Sequence, residues 1–368
     1  MQNWKTFRPS HDLHPDHLLD EIDVVQYGRT RNFLQGSVTA LSPYISRGII
    51  STRMVMERVI GGGYNPYRHE KFLQQLAWRD YFQRVLQSKP DLDRVPIKQP
   101  QLSLRNDIHV IPTAIVHGST GVVAIDQAIQ QLYTDGWMHN HVRMYVASLV
   151  TNIGGYSWQT GGRWMYYHLL DADIASNYCS WQWISGAFSS KRYLANQDNI
   201  NKYSGSRQSG SFLDTSYETL ELMDVPPVFQ DNYSLDVKTS LPEGDGPLKE
   251  LNYPVALYNM YNLDPKWHQG KDMHRVLLLE PSHFDAFPVS EKVLAWVMGQ
   301  AALIPEIHVY VGEFSQFVKD HPRADIVYKE HPIFNYHGTM ESRDWMFPEV
   351  TGYFPSFFGY WKRCQKYL

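Results

Sequence analysis

Cysteine is scarce in this sequence, and its scarcity narrows the kinds of site to expect. Only Cys179 and Cys364 occur among 368 residues. Two thiols cannot supply the four thiolates of a typical iron–sulfur cluster, so we expect no such cluster. Low cysteine usage also favours a reduced, cytoplasmic protein.

Long apolar segments are absent as well. No run reaches the length needed to cross a bilayer, and no charged-then-apolar leader opens the chain. We therefore expect a protein that does not associate with membranes.

The chain carries little excess charge, with a formal net charge of −4. The charge is unevenly distributed: residues 1–210 hold 21 Lys+Arg against 16 Asp+Glu, and the remainder hold 13 against 22. A slightly basic part beside an acidic part permits a local phosphate-binding face.

The chain contains a long helical pattern followed by strand-like segments. Apolar residues recur three and four positions apart from about residue 10 to 215. Beyond a stretch rich in Pro, Gly and Asp, three segments indicate strands (HRVLLLEP, IHVYVGEF and ADIVYKEHP) and SEKVLAWVMGQAALI indicates a helix. This alternation is typical of a small parallel sheet. We predict a mainly α protein with a helical domain at 1–215, a connector at 216–270 and a small α/β domain at 271–368.

Two neighbouring segments of the helical part carry polar side chains that indicate a ligand. The first, GWMHNHVRM, predicts a helix from Gly136 to Thr151. Four of its positions are spaced three and four apart and share one side of that helix: Asn140, Arg143, Met144 and Ala147. The second, LLDADIASN, predicts a helix from about Arg163 that carries an acidic pair and then an amide: Asp171, Asp173 and Asn177.

These segments and the WQW after them resemble the flavin-binding signature of the DNA photolyase and cryptochrome family, GWMHNRVRM followed by DGDLAANNGGWQW. On these motifs the chain is identified as a member of that family. The resemblance implies a photolyase-like helical domain that binds FAD, here followed by a small α/β domain. In the common family plan a larger α/β domain precedes the flavin domain and often holds an antenna pigment. Here the α/β part follows, either as a relocated and shortened counterpart of that domain or as an unrelated addition, so the sequence leaves the antenna chromophore unknown.

The resemblance implies roles for the acidic pair and its neighbours. Asp171 pairs with Arg143 beside the flavin, and Asp173 accepts a hydrogen bond from the ring imide. Asn177 faces flavin N5, where asparagine is typical of photolyases and favours a fully reduced flavin. No His or Cys ligand spacing accompanies the two carboxylates, so we expect no metal site.

A second motif, QGSVTALSPY, resembles the family's diphosphate-binding GTSRLSPYL. Ser42 precedes Pro43, a helix start at which a hydroxyl and free N–H groups can receive phosphate oxygens; an ordinary helix cap is the alternative. Val38 and Ala40 replace the usual threonine and arginine, so one hydroxyl contact is lost. The other cofactor-binding residues that carry over are Tyr27, Thr39 and Leu41.

A third motif, KFLQQLAWRDYF, resembles the family's ELIWREFY helix. The resemblance implies that Arg79 contacts the flavin phosphates and that Trp78 forms a wall of the base pocket. A surface ion pair and core packing are the structural alternatives. Gln75 stands where enzymes for cyclobutane dimers usually have a glutamate that contacts the damaged bases; glutamine keeps the hydrogen-bonding capacity but loses the charge.

The flavin segments supply the other predicted lesion-binding residues. Enzymes for (6-4) photoproducts have histidines at the positions of Asn140 and Met144, so this chain follows the pattern of cyclobutane-dimer enzymes. Trp183 completes the predicted pocket. His139 and His141 are candidates for acid–base catalysis. His139, however, matches a histidine found across the family and His141 replaces an arginine, which argues against that role.

Two tryptophans match the family's photoreduction chain: Trp181 is the inner member and Trp158 the middle one, with simple packing as the alternative for each. The outer tryptophan has no counterpart, because none lies between Trp78 and Trp137. The alternatives are a surface tyrosine such as Tyr133 or Tyr156, or another route for the electrons.

The polar stretch 189–211 indicates a loop. Four of its basic residues are candidates to contact DNA phosphates, with a solvated loop as the alternative: Lys191, Arg192, Lys202 and Arg207.

The resemblance implies two competing functions. The first is a blue-light-driven lyase in which reduced FAD donates an electron to a pyrimidine dimer, cyclobutane type favoured, flipped out of damaged DNA. The second is a cryptochrome-like photoreceptor that acts through a protein partner. Gln75, the missing outer tryptophan and the domain order favour the second, but the first is the preferred hypothesis. A helical flavoprotein without a light function is a third hypothesis.

Overall fold

The computed structural model describes residues 15–100, 107–189, 191–248 and 251–368. Its α-helices are α1 (Asp16–Asp20), α2 (Val24–Thr30), α3 (Ser42–Ser46), α4 (Thr52–Gly61), α5 (Glu70–Ser88), α6 (Thr113–His117), α7 (Val123–Asp135), α8 (Asn140–Ser148), α9 (Trp158–His168), α10 (Ile174–Ser185), α11 (Gln197–Ser204), α12 (Tyr217–Glu221), α13 (Pro281–Ala286), α14 (Glu291–Ala301), α15 (Phe314–Asp320) and α16 (Phe357–Cys364). Its strands are β1 (Val110–Pro112), β2 (Asn232–Ser234), β3 (Val255–Tyr258), β4 (His274–Leu279), β5 (Ile307–Val311), β6 (Ile326–Lys329) and β7 (Thr339–Glu341). Within these described ranges, no helix combines the length and the apolar character that crossing a membrane requires.

Two compact units form among the described residues, and both are discontinuous in sequence. The first, which we name the helical unit, comprises residues 23–38 and 91–237. The second, which we name the mixed unit, comprises residues 15–22, 39–90 and 238–368. Residues 39–90 therefore group with the α/β segment, whereas the sequence analysis placed them with the helices that follow.

The mixed unit contains a parallel sheet of five strands in the order β5-β4-β3-β6-β7. β3 comes first in the chain and lies at the centre; the chain then moves outward to β5 on one side and continues through β6 to β7 on the other, which is a doubly wound arrangement. All four residues of β3 and five of the six in β4 are buried, as expected where a parallel sheet is covered on both faces. The predicted fold class, mainly helical with a small parallel sheet, is confirmed.

The sequence analysis identified β4, β5, β6 and α14 but missed the central strand. β3 spans residues 255–258, inside the segment 216–270 that was predicted to be a connector. It is only four residues long and follows Pro254, so the surrounding Pro and Gly dominated the local pattern. β7 was also missed, because its three residues include Thr339 and Glu341 and form no apolar run.

In the helical unit, two predicted helices have different bounds in the structure. Gly136 ends α7 in the left-handed conformation with φ 65°, which favours glycine, so α8 begins only at Asn140. The helix predicted from Arg163 is two helices, because α9 ends at His168 and α10 begins at Ile174. The acidic pair therefore lies in the turn before α10 rather than on a helix.

The stretch predicted as a polar loop contains helix α11. Asn196 begins it, because its side-chain oxygen accepts a hydrogen bond from the backbone N–H of Asn199 at 3.0 Å. The polar composition of this stretch concealed a short helix whose buried side includes Ile200.

In the mixed unit, helix α5 is tied to residues 342–368, which we name the C-terminal segment. Glu70, at the start of α5, accepts a hydrogen bond from Trp361 Nε1 at 2.6 Å. Asp80, in the middle of α5, accepts from the backbone N–H of Met346 at 2.8 Å and from the hydroxyl of Thr52 at 2.9 Å. Burial raises the pKa of Asp80, and these two donors partly oppose that shift.

Candidate functional site

An ion pair between Arg143 and Asp171 lies where the turn before α10 meets α8. Arg143 Nη2 donates to both carboxylate oxygens of Asp171, at 3.1 and 3.0 Å. Arg143 Nε also donates to the carbonyl of Met138 at 2.8 Å. The side chains are 20% and 4% exposed, respectively. A buried carboxylate without a partner is costly, so the contact with Arg143 fixes the turn that carries Asp171. Part of the guanidinium stays accessible to a ligand.

Asp173, the second member of the acidic pair, caps α10. Its Oδ1 accepts from the backbone N–H of Ser176 at 2.7 Å, and the residue is 5% exposed. A carboxylate at this place is stabilised by the helix dipole. Burial and, secondarily, the charge of Asp173 raise the pKa of the Cys179 thiol well above its ordinary value, so Cys179 is a neutral core residue.

Asn177 has a fixed amide orientation. Its Nδ2 donates to the carbonyl of Gly162 at 2.9 Å, and the residue is 9% exposed. With the nitrogen engaged, Oδ1 is the side of the amide that can accept a hydrogen bond from a ligand. The close approach of α10 to α9 requires glycine here, since a Cβ on Gly162 would lie 2.7 Å from the ring of Tyr178.

The two predicted redox tryptophans are both buried between α9 and α10. Trp158 and Trp181 are each 2% exposed. Trp181 lies against the backbone of α9, because a Cβ on Gly161 would be 2.2 Å from its ring. The Trp158 ring lies edge-on to Tyr178, with centroids 6.3 Å apart. Both positions suit tight packing and a redox role alike.

The two tyrosines proposed as outer donors differ in accessibility. Tyr156 is completely buried and donates to the carbonyl of Phe229 at 2.9 Å, so its prediction as a surface residue was wrong. Tyr133 is half-buried; its hydroxyl donates to the carbonyl of Val116 at 2.6 Å and accepts from Trp164 Nε1 at 3.1 Å. Burial raises the pKa of Tyr133 to about 12.

His139 and His141 are buried and uncharged at neutral pH. Burial lowers the pKa of each to about 4, helped for His141 by nearby Arg31. His139 Nδ1 accepts from the backbone N–H of His141 at 3.1 Å, and the His141 ring lies 4.5 Å from that of Tyr203. These contacts agree with structural roles for both histidines.

Three of the predicted lesion-binding residues belong to the helical unit. Asn140 is exposed at the start of α8, and Met144 is half-buried one turn later. Trp183 is 39% exposed, and its ring lies 6.1 Å from that of Tyr193. All three retain surface that a ligand can contact.

The basic residues proposed to contact DNA lie in and around α11. Lys191, Lys202 and Arg207 are exposed, and Arg192 is half-buried. The ammonium of Lys202 lies 5.3 Å from the centroid of the Tyr203 ring.

The other predicted lesion-binding residues, Gln75 and Trp78, lie on α5 of the mixed unit. They are three positions apart, share a face of the helix and are half-buried. One face of Trp78 is covered, because Phe357 stacks on it with centroids 3.9 Å apart and planes 10° from parallel. Arg79, also half-buried, donates to the hydroxyl of Ser46.

The predicted diphosphate motif divides between the two units. Tyr27, on α2 of the helical unit, is half-buried. In the mixed unit, Thr39 and Ser42 are half-buried and Leu41 is 1% exposed. Ser42 is the first residue of α3 and makes no side-chain cap, so the ordinary-cap alternative is not found.

Two contacts of site residues were not predicted from the sequence: Phe357 on Trp78, and the carbonyl of Gly162 with Asn177. No local pattern links residue 357 to residue 78, because the contact is made only by the tertiary fold. The glycine pair Gly161–Gly162 inside a helical pattern was the available signal for a close approach of two helices.

Comparison with known proteins identifies part of the chain. Residues 72–214 match the FAD binding domain of DNA photolyase. The chain is 31% identical over 184 residues to a deoxyribodipyrimidine photo-lyase of Alkalihalophilus pseudofirmus, which covers 49% of this chain and 38% of that protein. It is 31% identical over 180 residues to a cryptochrome DASH of Xenopus laevis, covering 44% of this chain and 32% of that protein. A crystal structure of a bacterial class III photolyase from Agrobacterium tumefaciens aligns with a TM-score of 0.43 and 22% identity, covering 56% of this chain and 52% of that one.

Residues 72–214 therefore correspond to the FAD-binding domain of the DNA photolyase and cryptochrome family, and this match supports the family that the motifs predicted. The chain spans 38% and 32% of the length of the two curated relatives named above.

The donor set of the helical unit fits a flavin ring. Arg143 and the acidic pair supply a cation and carboxylate oxygens, and Asn177 supplies an oriented amide oxygen. Protein groups of this kind tune a flavin through hydrogen bonds and charge near its ring nitrogens. Among the described residues, no group of three or more His, Cys, Asp or Glu side chains is arranged to hold a metal ion.

Proposed function

We propose that the protein is a blue-light-driven, FAD-dependent lyase that repairs pyrimidine dimers in DNA, with the cyclobutane type as its favoured lesion. When bound, reduced FAD supplies the photoexcited electron donor for this chemistry. The observation that carries the proposal is the amide of Asn177, whose nitrogen is engaged with Gly162 so that its oxygen is left as an acceptor.

Asn177 supports a repair-type site because a reduced flavin carries an N5–H group, from which an amide oxygen can accept a hydrogen bond. A carboxylate in the same place adds a negative charge that opposes the addition of electrons to the ring. The 9% exposure of Asn177 strengthens this effect, because electrostatic interactions are stronger away from water. The Arg143–Asp171 ion pair carries no net charge, but it fixes a guanidinium in the same unit.

The choice of lesion rests on Asn140, Met144 and the two neighbouring histidines. Neither Asn140 nor Met144 can act as a general acid, in contrast to the histidines of (6-4) enzymes at these positions. His139 and His141 have pKa values of about 4, so they are neutral at pH 7 and poor proton donors. A cyclobutane dimer, which splits by electron transfer, fits a site without a strong acid.

The substrate is proposed to enter as a pyrimidine dimer that is extruded from damaged DNA, single- or double-stranded. Trp78 and Trp183 each keep an exposed or half-buried ring surface for stacking. Gln75 lies one turn before Trp78 and offers both a donor and an acceptor to base edges.

A light-dependent repair assay tests this proposal. The protein, reduced and loaded with FAD, is incubated with one oligonucleotide that contains a thymine cyclobutane dimer and another that contains a (6-4) photoproduct, under blue light and in the dark. We expect loss of the cyclobutane dimer in the illuminated sample alone. Equal dimer content in the light and in the dark, from protein that holds reduced FAD, contradicts the proposal.

A cryptochrome-like photoreceptor that acts through a protein partner is the second candidate. Two observations favour it: Gln75 lacks the carboxylate usual in cyclobutane-dimer enzymes, and Phe357 covers one face of Trp78. Bound FAD that is reduced by light, in protein that leaves both lesions intact, supports this candidate over repair.

A further inference from the structure

The last helix has a composition unlike that of the segment around it. Residues 351–368 contain Lys362, Arg363 and Lys366 but no Asp or Glu, although residues 211–368 as a whole hold 13 Lys+Arg against 22 Asp+Glu. The same 18 residues include seven aromatic side chains. The net charge of the region therefore conceals a local cluster of basic and aromatic residues.

Burial divides α16 and the turn after it into two sides. Phe357, Tyr360, Trp361 and Cys364 are buried and face the protein. The opposite side is exposed and consists of Phe358, Lys362, Arg363, Lys366 and Tyr367. We name these five residues the basic aromatic face.

The buried side fixes this face relative to α5. Phe357 stacks on Trp78, and Trp361 and Gln365 both donate to Glu70, at 2.6 and 2.7 Å. These hydrogen bonds engage Glu70, an acidic residue of α5 that lies against α16. The helix rises 1.5 Å per residue, so Lys362 lies about 8 Å along its axis from Phe357.

The cations of the face are Lys362, Arg363 and Lys366. Within the described part of the chain, Lys362, Arg363 and Lys366 take part in no ion pair with Asp or Glu. Phe358 is 69% exposed. Three exposed cations and an exposed ring therefore occur together on the outer side of α16 and the turn after it.

A nucleic-acid backbone is the partner that matches this combination. Phosphates pair with Lys and Arg whatever the base sequence, and an exposed ring can stack on an unpaired base. A membrane surface is a weaker match, because the exposed side offers two rings and no aliphatic residue. The link from Phe357 to Trp78 also joins this face to the residue assigned to base stacking.

We propose that the basic aromatic face of α16 binds the phosphate backbone of nucleic acid, with Phe358 stacking on an unpaired base. The choice of DNA as the nucleic acid rests on the proposed function. The surface lies outside residues 72–214, which match the FAD-binding domain.

Salt-dependent binding of undamaged single-stranded DNA tests the proposal on the full-length, FAD-loaded protein. The variant Lys362→Gln/Arg363→Gln removes two cations of the face, and Lys319→Gln/Arg323→Gln removes two exposed cations elsewhere in the mixed unit. Each single-strand phosphate contact contributes about −0.7 to the slope of log K against log salt. We expect the first variant to reduce the magnitude of the slope by about 1.4 and the second to leave it unchanged.

Phe358→Ala tests the stacking contact separately. We expect single-strand affinity to fall about fivefold or more at an unchanged salt slope, because a base–ring contact is lost but no charge is removed. Equal slopes for the two charge variants, wild-type protein that does not bind DNA, or binding of anionic phospholipid vesicles in place of DNA would each overturn the proposal.

Failure of this proposal and failure of the repair function give different results. If the protein repairs dimers but the two charge variants have equal salt slopes, the proposed surface is wrong and the proposed function stands. A reduced slope in Lys362→Gln/Arg363→Gln, with no repair by the wild type, supports the surface and contradicts the function. Melting temperature and FAD content, measured for every variant, exclude misfolding as the cause.

Discussion

The phenyl ring of Phe357 stacks on the indole ring of Trp78, with centroids 3.9 Å apart and planes 10° from parallel. This contact joins the C-terminal segment to the helix that carries Gln75, Trp78 and Arg79. The part of the chain that matches the FAD-binding domain ends at residue 214. Residues beyond that match therefore help to hold α5.

Phe357 should contribute strongly to stability. It is 2% exposed, whereas its neighbour Phe358 is 69% exposed. Truncating a buried phenylalanine to alanine costs about 3–5 kcal/mol. We expect Phe357→Ala to lower the free energy of unfolding by that amount in a urea titration and Phe358→Ala to change it by less than about 0.5 kcal/mol. Similar losses for both variants would contradict the assigned packing.

Arg143 should control FAD affinity through its two-point contact with Asp171. Lysine keeps the charge but has one nitrogen, so it cannot contact both Asp171 and the Met138 carbonyl as Nη2 and Nε of Arg143 do. A charge-assisted hydrogen bond contributes about 1.5–3 kcal/mol, so we expect Arg143→Lys to weaken FAD binding about tenfold or more. Titrating apoprotein with FAD measures this effect, and exposed Arg207→Lys is the control. Equal affinities for the two variants would argue against a role for Arg143.

Asn177 should set the redox preference of the flavin. Asn177→Asp places a negative charge where the structure has an amide oxygen, and this charge disfavours adding electrons to the ring. We expect the variant to shift the flavin away from its fully reduced state in a spectroelectrochemical titration. Ser180→Asp adds the same charge at an exposed position of α10 and should leave the titration unchanged. Wild-type redox behaviour in Asn177→Asp would refute the assignment.

Stability should fall as the medium becomes acidic. Burial and nearby Arg47 lower the pKa of His283 to about 3, and burial lowers that of His331 well below 6.5. The unfolded chain therefore binds protons below pH 6.5 that the folded protein does not, and each histidine costs up to about 1.4 kcal/mol per pH unit between 6.5 and its folded pKa. Urea titrations between pH 7.5 and 5 measure the slope, which His283→Gln should reduce. An unchanged slope in that variant would contradict the buried, neutral state of His283.

The secondary-structure elements that were predicted correctly are those whose signal lies within a single segment of the sequence. The apolar run of β4 and the amphipathic period of α14 were sufficient to predict a parallel sheet. The central strand β3 was missed, because four residues after Pro254 carry too weak a signal. Its place in the sheet is set by pairing with β4 and β6, which no local window contains.

The candidate site likewise contains some contacts that were predicted from the sequence and some that were not. The family resemblance implied the pairing of Arg143 with Asp171, and the structure contains that pair. The position of Asp173 as a helix cap was missed, because the helix period was extended through the turn. The stacking of Phe357 on Trp78 has no signal near either residue and depends on tertiary packing alone.

The absorption spectrum of the purified protein, followed by titration of the apoprotein with FAD, tests the central claim most directly. The account predicts flavin absorption bands, binding of one FAD per chain and loss of affinity in Arg143→Lys. A colourless protein that does not bind added FAD would contradict it.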